Sequence, residues 1–160
     1  MLPLVSIIIA TYNRSEILIN RTIPSVLNQT YKNYKIHFNI PHINKKNNRE
    51  YIIPTWLDDI SKKSVLKIFR TEDYGSITKI YPTIKRINDP EQIIITVDDD
   101  LVYESRLIEE HVRLREINDD KTAIGFAGLN NIGEKLFLSN SSACRAVVMP
   151  HTLISIILIV

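Results

Sequence analysis

Two long apolar segments constrain the fold of this chain more than any other feature. Leu4–Ala10 and Gln92–Val97 are dominated by isoleucine and valine. Segments of this length and composition predict strands that are buried on both faces, as in a parallel sheet covered by helices. Polar residues follow each segment directly. The sequence therefore predicts two central strands that each end at a candidate binding loop.

Helical periodicity alternates with strand-like segments along most of the chain, which predicts an α/β fold: a Rossmann-like, mostly parallel sheet flanked by helices. Two further strands are predicted at Lys35–Asn39 and Val65–Arg70, with weaker candidates at Ala123–Leu129 and from Val147 onward. The predicted helices are Ser15–Gln29, Tyr51–Ile60, Ile77–Ile87 and Ser105–Ile117. The second has an alternative start near Pro54, and the last is capped by Ser105. Pro41–Glu50 is expected to be an exposed loop. Pro24 either kinks the first helix, or Thr22 caps a second segment with Pro24 in its first turn.

Length and composition exclude several classes of protein. A chain of 160 residues predicts a single domain spanning residues 1–160. The net charge of +2 excludes a non-specific nucleic-acid-coating protein. The single cysteine, Cys144, excludes an internal disulfide and a multi-cysteine metal site. No apolar run reaches the roughly 18 residues of a membrane span, so we expect no transmembrane segment.

Three adjacent carboxylates, Asp98, Asp99 and Asp100, follow the strand that ends at Val97. They repel one another, so the cluster lowers stability unless a cation or hydrogen bonds compensate the charge. Alternate residues of an extended segment point to the same side, so Asp98 and Asp100 are expected to face one site. Carboxylate oxygens suit Mg²⁺ or Mn²⁺, which take other ligands from substrate phosphates. The alternative is a solvated acidic turn that caps the next helix.

A second polar group follows the first strand. Thr11, Tyr12 and Arg14 offer a hydroxyl, an aromatic face and a guanidinium. Such side chains suit a hydroxyl-rich ring and phosphates. The alternative is a polar strand end at which Asn13 or Ser15 caps a helix.

A third polar group follows the third predicted strand. Gly75, next to Asp73 and Tyr74, permits a positive φ or close backbone approach, and Lys79 lies four residues further on. An ammonium one turn into a helix can pair with phosphate, and the alternative is a solvated lysine at a helix entry. Ligands of such sheets bind beyond the carboxyl ends of the strands. The three groups together therefore predict a phosphate-bearing nucleotide bound through a divalent ion.

The segments Val5–Arg14 and Thr22–Tyr31 resemble the opening of a glycosyltransferase family 2-like enzyme with the GT-A fold. Ile93–Asp100 resembles the strand of that family that ends in its DXD motif. The similarity extends over roughly residues 4–115. It implies the GT-A fold and a site for a nucleotide-diphosphate sugar, with UDP as the default carrier.

The resemblance also implies roles for single residues, all near the donor. Thr11, Tyr12 and Arg14 match the segment that lines the nucleotide pocket. Asp73, Gly75 and Lys79 lie where the family often has Asn-x-Gly and then a basic residue, usually Arg, near the base and diphosphate. Asp98 would face the ribose or the metal, Asp99 would approach the sugar, and Asp100 would bind Mn²⁺ or Mg²⁺.

The implied reaction is displacement at the anomeric carbon by an acceptor hydroxyl of a glycan, lipid or protein, with inversion. A divalent metal would neutralise charge on the diphosphate leaving group. Inverting members of the family use a carboxylate base downstream of the DXD motif. Between Lys121 and Val160 the acidic residue available for this role is Glu134. The short segment after Asp100 suggests a minimal domain, a chain truncated in its acceptor-binding C-terminal part, or a donor-binding module without transferase activity.

Two other interpretations compete with a glycosyltransferase. A non-catalytic nucleotide-sugar-binding fragment would bind the donor without turnover. A Mg²⁺-dependent phospho-acceptor domain would also use clustered aspartates, but it would carry an acidic pair after the first strand, where this chain has Thr11 and Tyr12. The expected location is the cytoplasm, with membrane association as a minority hypothesis from the Lys45-Lys46 and Lys62-Lys63 pairs.

Overall fold

The computed structural model describes residues 4–10, 18–89 and 92–117, and the strand segments 122–125, 127–129, 135–137, 145–148 and 156–158. Within these residues the main sheet has five strands, and every neighbouring pair is parallel. Its strands are β1 (Val5–Ala10), β2 (Tyr34–Pro41), β5 (Leu66–Thr71), β6 (Ile93–Thr96) and β11 (Ile156–Leu158). The shorter strands form antiparallel pairs: β3 (Ile43–Asn44) with β4 (Arg49–Glu50), β7 (Thr122–Gly125) with β10 (Arg145–Val148), and β8 (Ala127–Leu129) with β9 (Lys135–Phe137).

The order of the main sheet places its centre at β1. The strands lie in the order β11-β6-β1-β2-β5, so the chain moves outward from β1 through β2 to β5 and then returns to β6 on the other side. The strand order therefore reverses between β1 and β6. In open α/β sheets this point of reversal opens a crevice beyond the carboxyl ends of the strands, where ligands bind. Asp98 follows β6 at this edge.

Helices accompany the sheet. They are α1 (Ile23–Leu27), α2 (Thr55–Lys63), α3 (Tyr81–Ile84) and α4 (Leu107–Ile117), with a π-helical turn at Leu18–Thr22 and a 3₁₀ turn at Gly75–Lys79. The prediction of an α/β fold with a mostly parallel sheet is confirmed. No helix among the described residues is both long and apolar enough to cross a bilayer.

The apolar core follows from the two-residue period of the strands. Ile36, Phe38 and Ile40 alternate along β2 and are completely buried. They belong to one cluster with residues of β1, β6 and the helices: Val5, Ile23, Val26, Leu57, Ile93, Ile95, Leu107 and Ile108. Helices thus cover this face of the sheet, which fixes the strands whose carboxyl ends carry the candidate site.

Two predicted helices differ from the observed ones at prolines. The predicted helix Ile77–Ile87 is wrong as a single element, because Pro82 lies in the first turn of α3 and separates it from the 3₁₀ turn at Gly75–Lys79. Proline lacks an N–H donor and clashes with the preceding turn, so it is accommodated at a helix start. Near Pro24 the second alternative holds in part: α1 begins after Thr22 with the proline in its first turn, but Thr22 has helical backbone angles and its side chain makes no capping hydrogen bond.

Three further boundaries also differ from the prediction. The segment predicted as an exposed loop, Pro41–Glu50, contains the β3–β4 pair, and Pro41 itself belongs to β2. The short helix predicted at Tyr51–Ile60 is observed at Thr55–Lys63, which agrees with the alternative start near Pro54 and ends three residues later than predicted. Ser105, predicted as the cap of the last helix, lies two residues before its first helical residue, and its carbonyl instead accepts the Thr30 N–H at 2.8 Å.

The other face of the sheet carries a layer of polar side chains beneath α3. Ser6 Oγ lies 3.2 Å from His37 Nε2 and also accepts a hydrogen bond from Gln92. His37 stacks on Phe69, with ring centroids 5.1 Å apart, and Arg86 lies 4.0 Å above the same ring. Burial, followed by the positive charges of Arg86 and Lys35, lowers the pKa of His37 from 6.5 to about 4.

This shift predicts that stability falls as the solution is acidified. Below pH 6.5 the unfolded chain binds a proton at His37, whereas the folded chain does so only near pH 4, so protonation favours unfolding within this window. Because the side chain is partly solvated, we expect a loss of at most about 2 kcal/mol between pH 7 and pH 4.5. Urea unfolding of His37→Gln should show a smaller loss than wild type, whereas the exposed control His42→Gln should retain all of it. An equal loss in His37→Gln would contradict this assignment.

Candidate functional site

The loop after β6 carries Asp98, Asp99 and Asp100 and is called the acidic loop here. Hydrogen bonds connect it to the start of α1. The Thr22 hydroxyl lies 3.0 Å from the Asp99 carbonyl and 2.8 Å from the Leu101 carbonyl, and it donates to them. Ser25 Oγ accepts the Tyr103 N–H at 3.1 Å. Thr22 is completely buried, so these contacts are shielded from water. The backbone of the acidic loop is therefore held in place by a neighbouring element.

The Tyr103 side chain folds back onto the start of the same loop and hydrogen-bonds to the Asp98 backbone. Its phenol oxygen accepts the Asp98 N–H at 2.7 Å and donates to the Asp98 carbonyl at 3.2 Å. Burial is the main cause that raises the pKa of this phenol, and the charges of the nearby aspartates add to it. The phenol therefore stays protonated at neutral pH and retains its donor. This bracing fixes the backbone from which the Asp98 carboxylate extends.

Asp73 organises the loop after β5. Its Oδ1 accepts the Gly75 N–H at 2.8 Å, and its Oδ2 accepts the Lys45 N–H at 2.8 Å from the loop between β3 and β4. These hydrogen bonds lower the pKa of Asp73, so it remains a carboxylate. Gly75 has a φ of +67°, a conformation that side chains with a Cβ rarely adopt. The contacts give Asp73 and Gly75 a role in shaping the loop that ends at Lys79.

Lys79 joins the two loops. Its ammonium pairs with Asp98 Oδ1, and the side chains of Lys79 and Asp98 are 25% and 31% exposed. Asn39 Nδ2 donates to the Lys79 carbonyl at 2.9 Å and to Thr83 Oγ1 at 2.8 Å. Asn39 is completely buried, and Arg86 donates to its side-chain oxygen at 2.7 Å. A buried amide thus positions the lysine that reaches the acidic loop.

The donor set suits a hard cation. The lysine ammonium already lies against one Asp98 oxygen, so a positive charge is accommodated at this position. Asp100 follows two residues later and is exposed. Among the described residues, however, His, Cys, Asp and Glu side chains form no group of three or more that could hold a metal. Mg²⁺ is often bound by one or two carboxylates, with further ligands from substrate phosphates. Asp98 and Asp100 could provide the carboxylates of such a site, and the remaining ligands would come from a bound phosphate group.

The structure brings only some of the predicted site residues together. Lys79 and Asp98 are in contact, Asp73 and Gly75 form the turn before Lys79, and Asp99 and Asp100 continue the acidic loop. Thr11, Tyr12, Arg14 and Glu134 lie outside the described residues. Their roles stay predictions.

Three residues that hold the site in position were not predicted from the sequence in this role: Asn39, Thr22 and Tyr103. Asn39 gave one usable signal, because a polar residue near the end of a buried strand needs a partner. Tyr103 gave none, since its contact with Asp98 depends on how the acidic loop folds back. Trp56 packs against the core.

Comparison with protein families gives one match: the model of glycosyl transferase family 2 aligns with residues 6–152. This range covers most of the chain and includes every described site residue. A search of curated proteins gives no significant match.

Solved structures with a similar fold include forms of S. aureus TarS. TarS 1–349 in complex with UDP has a TM-score of 0.57 and 15% identity, with 79% of this chain and 36% of that chain covered. The complex with UDP-GlcNAc has a TM-score of 0.55 and 12% identity, covering 81% and 35%. A further TarS structure has a TM-score of 0.56 and 12% identity, covering 86% and 23%. The chain thus spans about a third or less of these proteins, and at this identity the likeness concerns the fold.

Proposed function

The chain belongs to glycosyl transferase family 2, and from this we propose that it binds a nucleotide-diphosphate sugar and transfers the sugar to an acceptor hydroxyl. The observation that carries the proposal is the contact between Lys79 and Asp98 at the carboxyl edge of the parallel sheet. This contact places the Lys79 ammonium, a group that can bind phosphate, next to the Asp98–Asp100 motif. Both lie beside the point where the strand order reverses. Two of the TarS structures are complexes with UDP and with UDP-GlcNAc, which favours UDP as the carrier here.

The proposed donor site lies beyond the carboxyl ends of β1, β5 and β6. Lys79 offers an ammonium to the diphosphate, and the Gly75 backbone leaves room for close approach. Thr11, Tyr12 and Arg14 are proposed to line the nucleotide pocket, and Asp99 is proposed to approach the sugar. Asp73 contributes indirectly in this proposal: its hydrogen bond to the Gly75 N–H holds the turn that faces the nucleotide.

Asp98 and Asp100 are proposed to hold Mn²⁺ or Mg²⁺ together with the donor phosphates. Charge on the diphosphate leaving group would be neutralised by such a bound ion, which is the chemistry that a divalent cation supplies. Tyr103 holds the Asp98 backbone and Thr22 holds the Asp99 carbonyl, so the backbone that carries the carboxylates is fixed before the donor arrives. The acceptor proton passes to a carboxylate base, for which Glu134 is the candidate. Inversion, the cytoplasmic location and a single domain over residues 1–160 stay predictions.

Release of nucleotide diphosphate tests the proposed activity. Incubated with UDP-sugars and GDP-sugars, the chain should release UDP or GDP by transfer or by slow hydrolysis. Chelation with EDTA should stop the release, and added Mn²⁺ should restore it. Donor binding with neither transfer nor hydrolysis would instead favour the non-catalytic fragment. Covalent labelling by acetyl phosphate, without donor binding, would favour the phospho-acceptor domain.

A further inference from the structure

The ion pair between Lys79 and Asp98 is more shielded from solvent than the local ion pairs along the helices. Those of Lys62 with Asp58 and of Arg106 with Glu109 lie three or four residues apart, with side chains 49–65% exposed. Lys79 and Asp98 lie 19 residues apart on separate loops, and neither side chain is more than 31% exposed. Solvent therefore weakens this pair less than the exposed pairs.

Both ends of the pair extend from a braced backbone. The Lys79 carbonyl accepts a hydrogen bond from the buried Asn39 amide at 2.9 Å. The Asp98 N–H and carbonyl both bond to the Tyr103 phenol. Holding two charged side chains together normally costs rotamer entropy. The fixed backbones keep the two side chains within reach of each other, which favours the pair in the donor-free protein.

A divalent cation and the Lys79 ammonium compete for the same carboxylate. A metal on Asp98 would lie beside the ammonium, and like charges at that separation repel strongly in a partly buried site. A diphosphate removes this conflict, because its oxygens accept hydrogen bonds from the ammonium and also provide ligands for the metal. The flexible four-carbon stem of lysine lets the ammonium move while the backbone stays fixed by Asn39.

We propose that Lys79 is a tethered counter-ion that occupies Asp98 in the donor-free protein and moves to the diphosphate when a donor binds. This inference rests on the proposed function. Metal and nucleotide then bind cooperatively, and by linkage each raises the affinity for the other by the same factor. The metal site is thereby kept weak until the donor is present. Lys79 is in this account a residue that both binds phosphate and regulates the metal site.

Binding of Mn²⁺ in the absence of nucleotide tests the inference, with free Mn²⁺ measured by electron paramagnetic resonance. Lys79→Met removes the charge but keeps the length, so it should bind Mn²⁺ about tenfold more tightly than wild type. Lys79→Arg should behave like wild type. The matched control Lys85→Met changes an exposed lysine six residues further on and should leave Mn²⁺ affinity unchanged. Lys79→Gln provides the same test if the methionine variant fails to show a cooperative melt.

The titrations are then repeated with UDP. In wild type, UDP should strengthen Mn²⁺ binding by more than about tenfold. In Lys79→Met this enhancement should be about tenfold smaller, because only the ligation of the metal by the diphosphate remains. Suppose that wild type binds UDP in a metal-dependent way but that Lys79→Met binds Mn²⁺ with unchanged or lower affinity. This result would overturn the role inferred for Lys79 and leave the proposed function standing. Wild-type protein that binds no nucleotide at any Mn²⁺ concentration would contradict the proposed function itself.

Discussion

Replacing Asp100 with alanine is expected to weaken Mn²⁺-dependent UDP binding by at least about 100-fold. With only two protein carboxylates proposed as ligands, removal of either one takes away about half of the protein's share of the coordination shell. Asp100 is exposed, and exposed substitutions usually change the free energy of unfolding by less than about 0.5 kcal/mol. The variant should therefore fold normally and fail only in binding. The measurement is a titration of Mn²⁺ in the presence of UDP.

A matched control is available on α2. Asp59→Ala also removes an exposed carboxylate, on a helix that carries none of the proposed donor-binding residues, and should bind UDP and Mn²⁺ like wild type. Asp100→Asn keeps the shape of the side chain but loses its charge, so its Mn²⁺-dependent affinity for UDP should be close to that of Asp100→Ala. Equal UDP affinity in wild type and Asp100→Ala would remove Asp100 from the metal site.

Gln29→Ala is expected to lower the free energy of unfolding by about 3 kcal/mol. The Gln29 side chain is 2% exposed, and its Nε2 donates to the carbonyls of Ser25 and Glu104, each at 2.9 Å. Its Oε1 accepts the Ile108 N–H at 3.2 Å. Alanine would leave the buried Ile108 N–H and the partly buried carbonyls of Ser25 and Glu104 without this partner. Each unsatisfied buried group costs about 1–3 kcal/mol unless the structure relaxes.

Urea unfolding with linear extrapolation measures this loss. The neighbouring Asn28 is exposed, so Asn28→Ala should change the free energy of unfolding by less than about 0.5 kcal/mol. Since Gln29 ties α1 to both Glu104 and the start of α4, the variant should also loosen the acidic loop and weaken UDP binding. A loss below about 1 kcal/mol would mean that water replaces the amide at little cost.

The central strands were predictable because their environment is simple. A strand buried on both faces needs an apolar side chain at almost every position, and Leu4–Ala10 and Gln92–Val97 show this directly. The family resemblance rested on the same segments, and it is confirmed. The prediction of a single helix at Ile77–Ile87 was wrong. It was based on the spacing of the isoleucines, whereas the backbone restriction at Pro82 decides where α3 begins.

The site was predictable only in part, for a related reason. Parallel topology brings the carboxyl ends of strands together, so the positions of the Lys79 and Asp98 loops could be inferred from the chain. The contact between Lys79 and Asp98 depends on Asn39 and Tyr103, which lie far from one another in sequence. The use of Asp73 as a loop organiser depends likewise on the approach of Lys45 from the loop between β3 and β4. Long-range hydrogen bonds of this kind leave no periodic pattern in a sequence.

Calorimetric titration of the chain with UDP and with GDP, each with and without Mn²⁺, tests the central claim most directly. The claim is that a nucleotide diphosphate binds at the carboxyl edge of the sheet through a divalent cation. We predict binding of UDP that depends on Mn²⁺ and disappears with EDTA. A protein that melts cooperatively but binds neither nucleotide, with or without Mn²⁺, would contradict the claim.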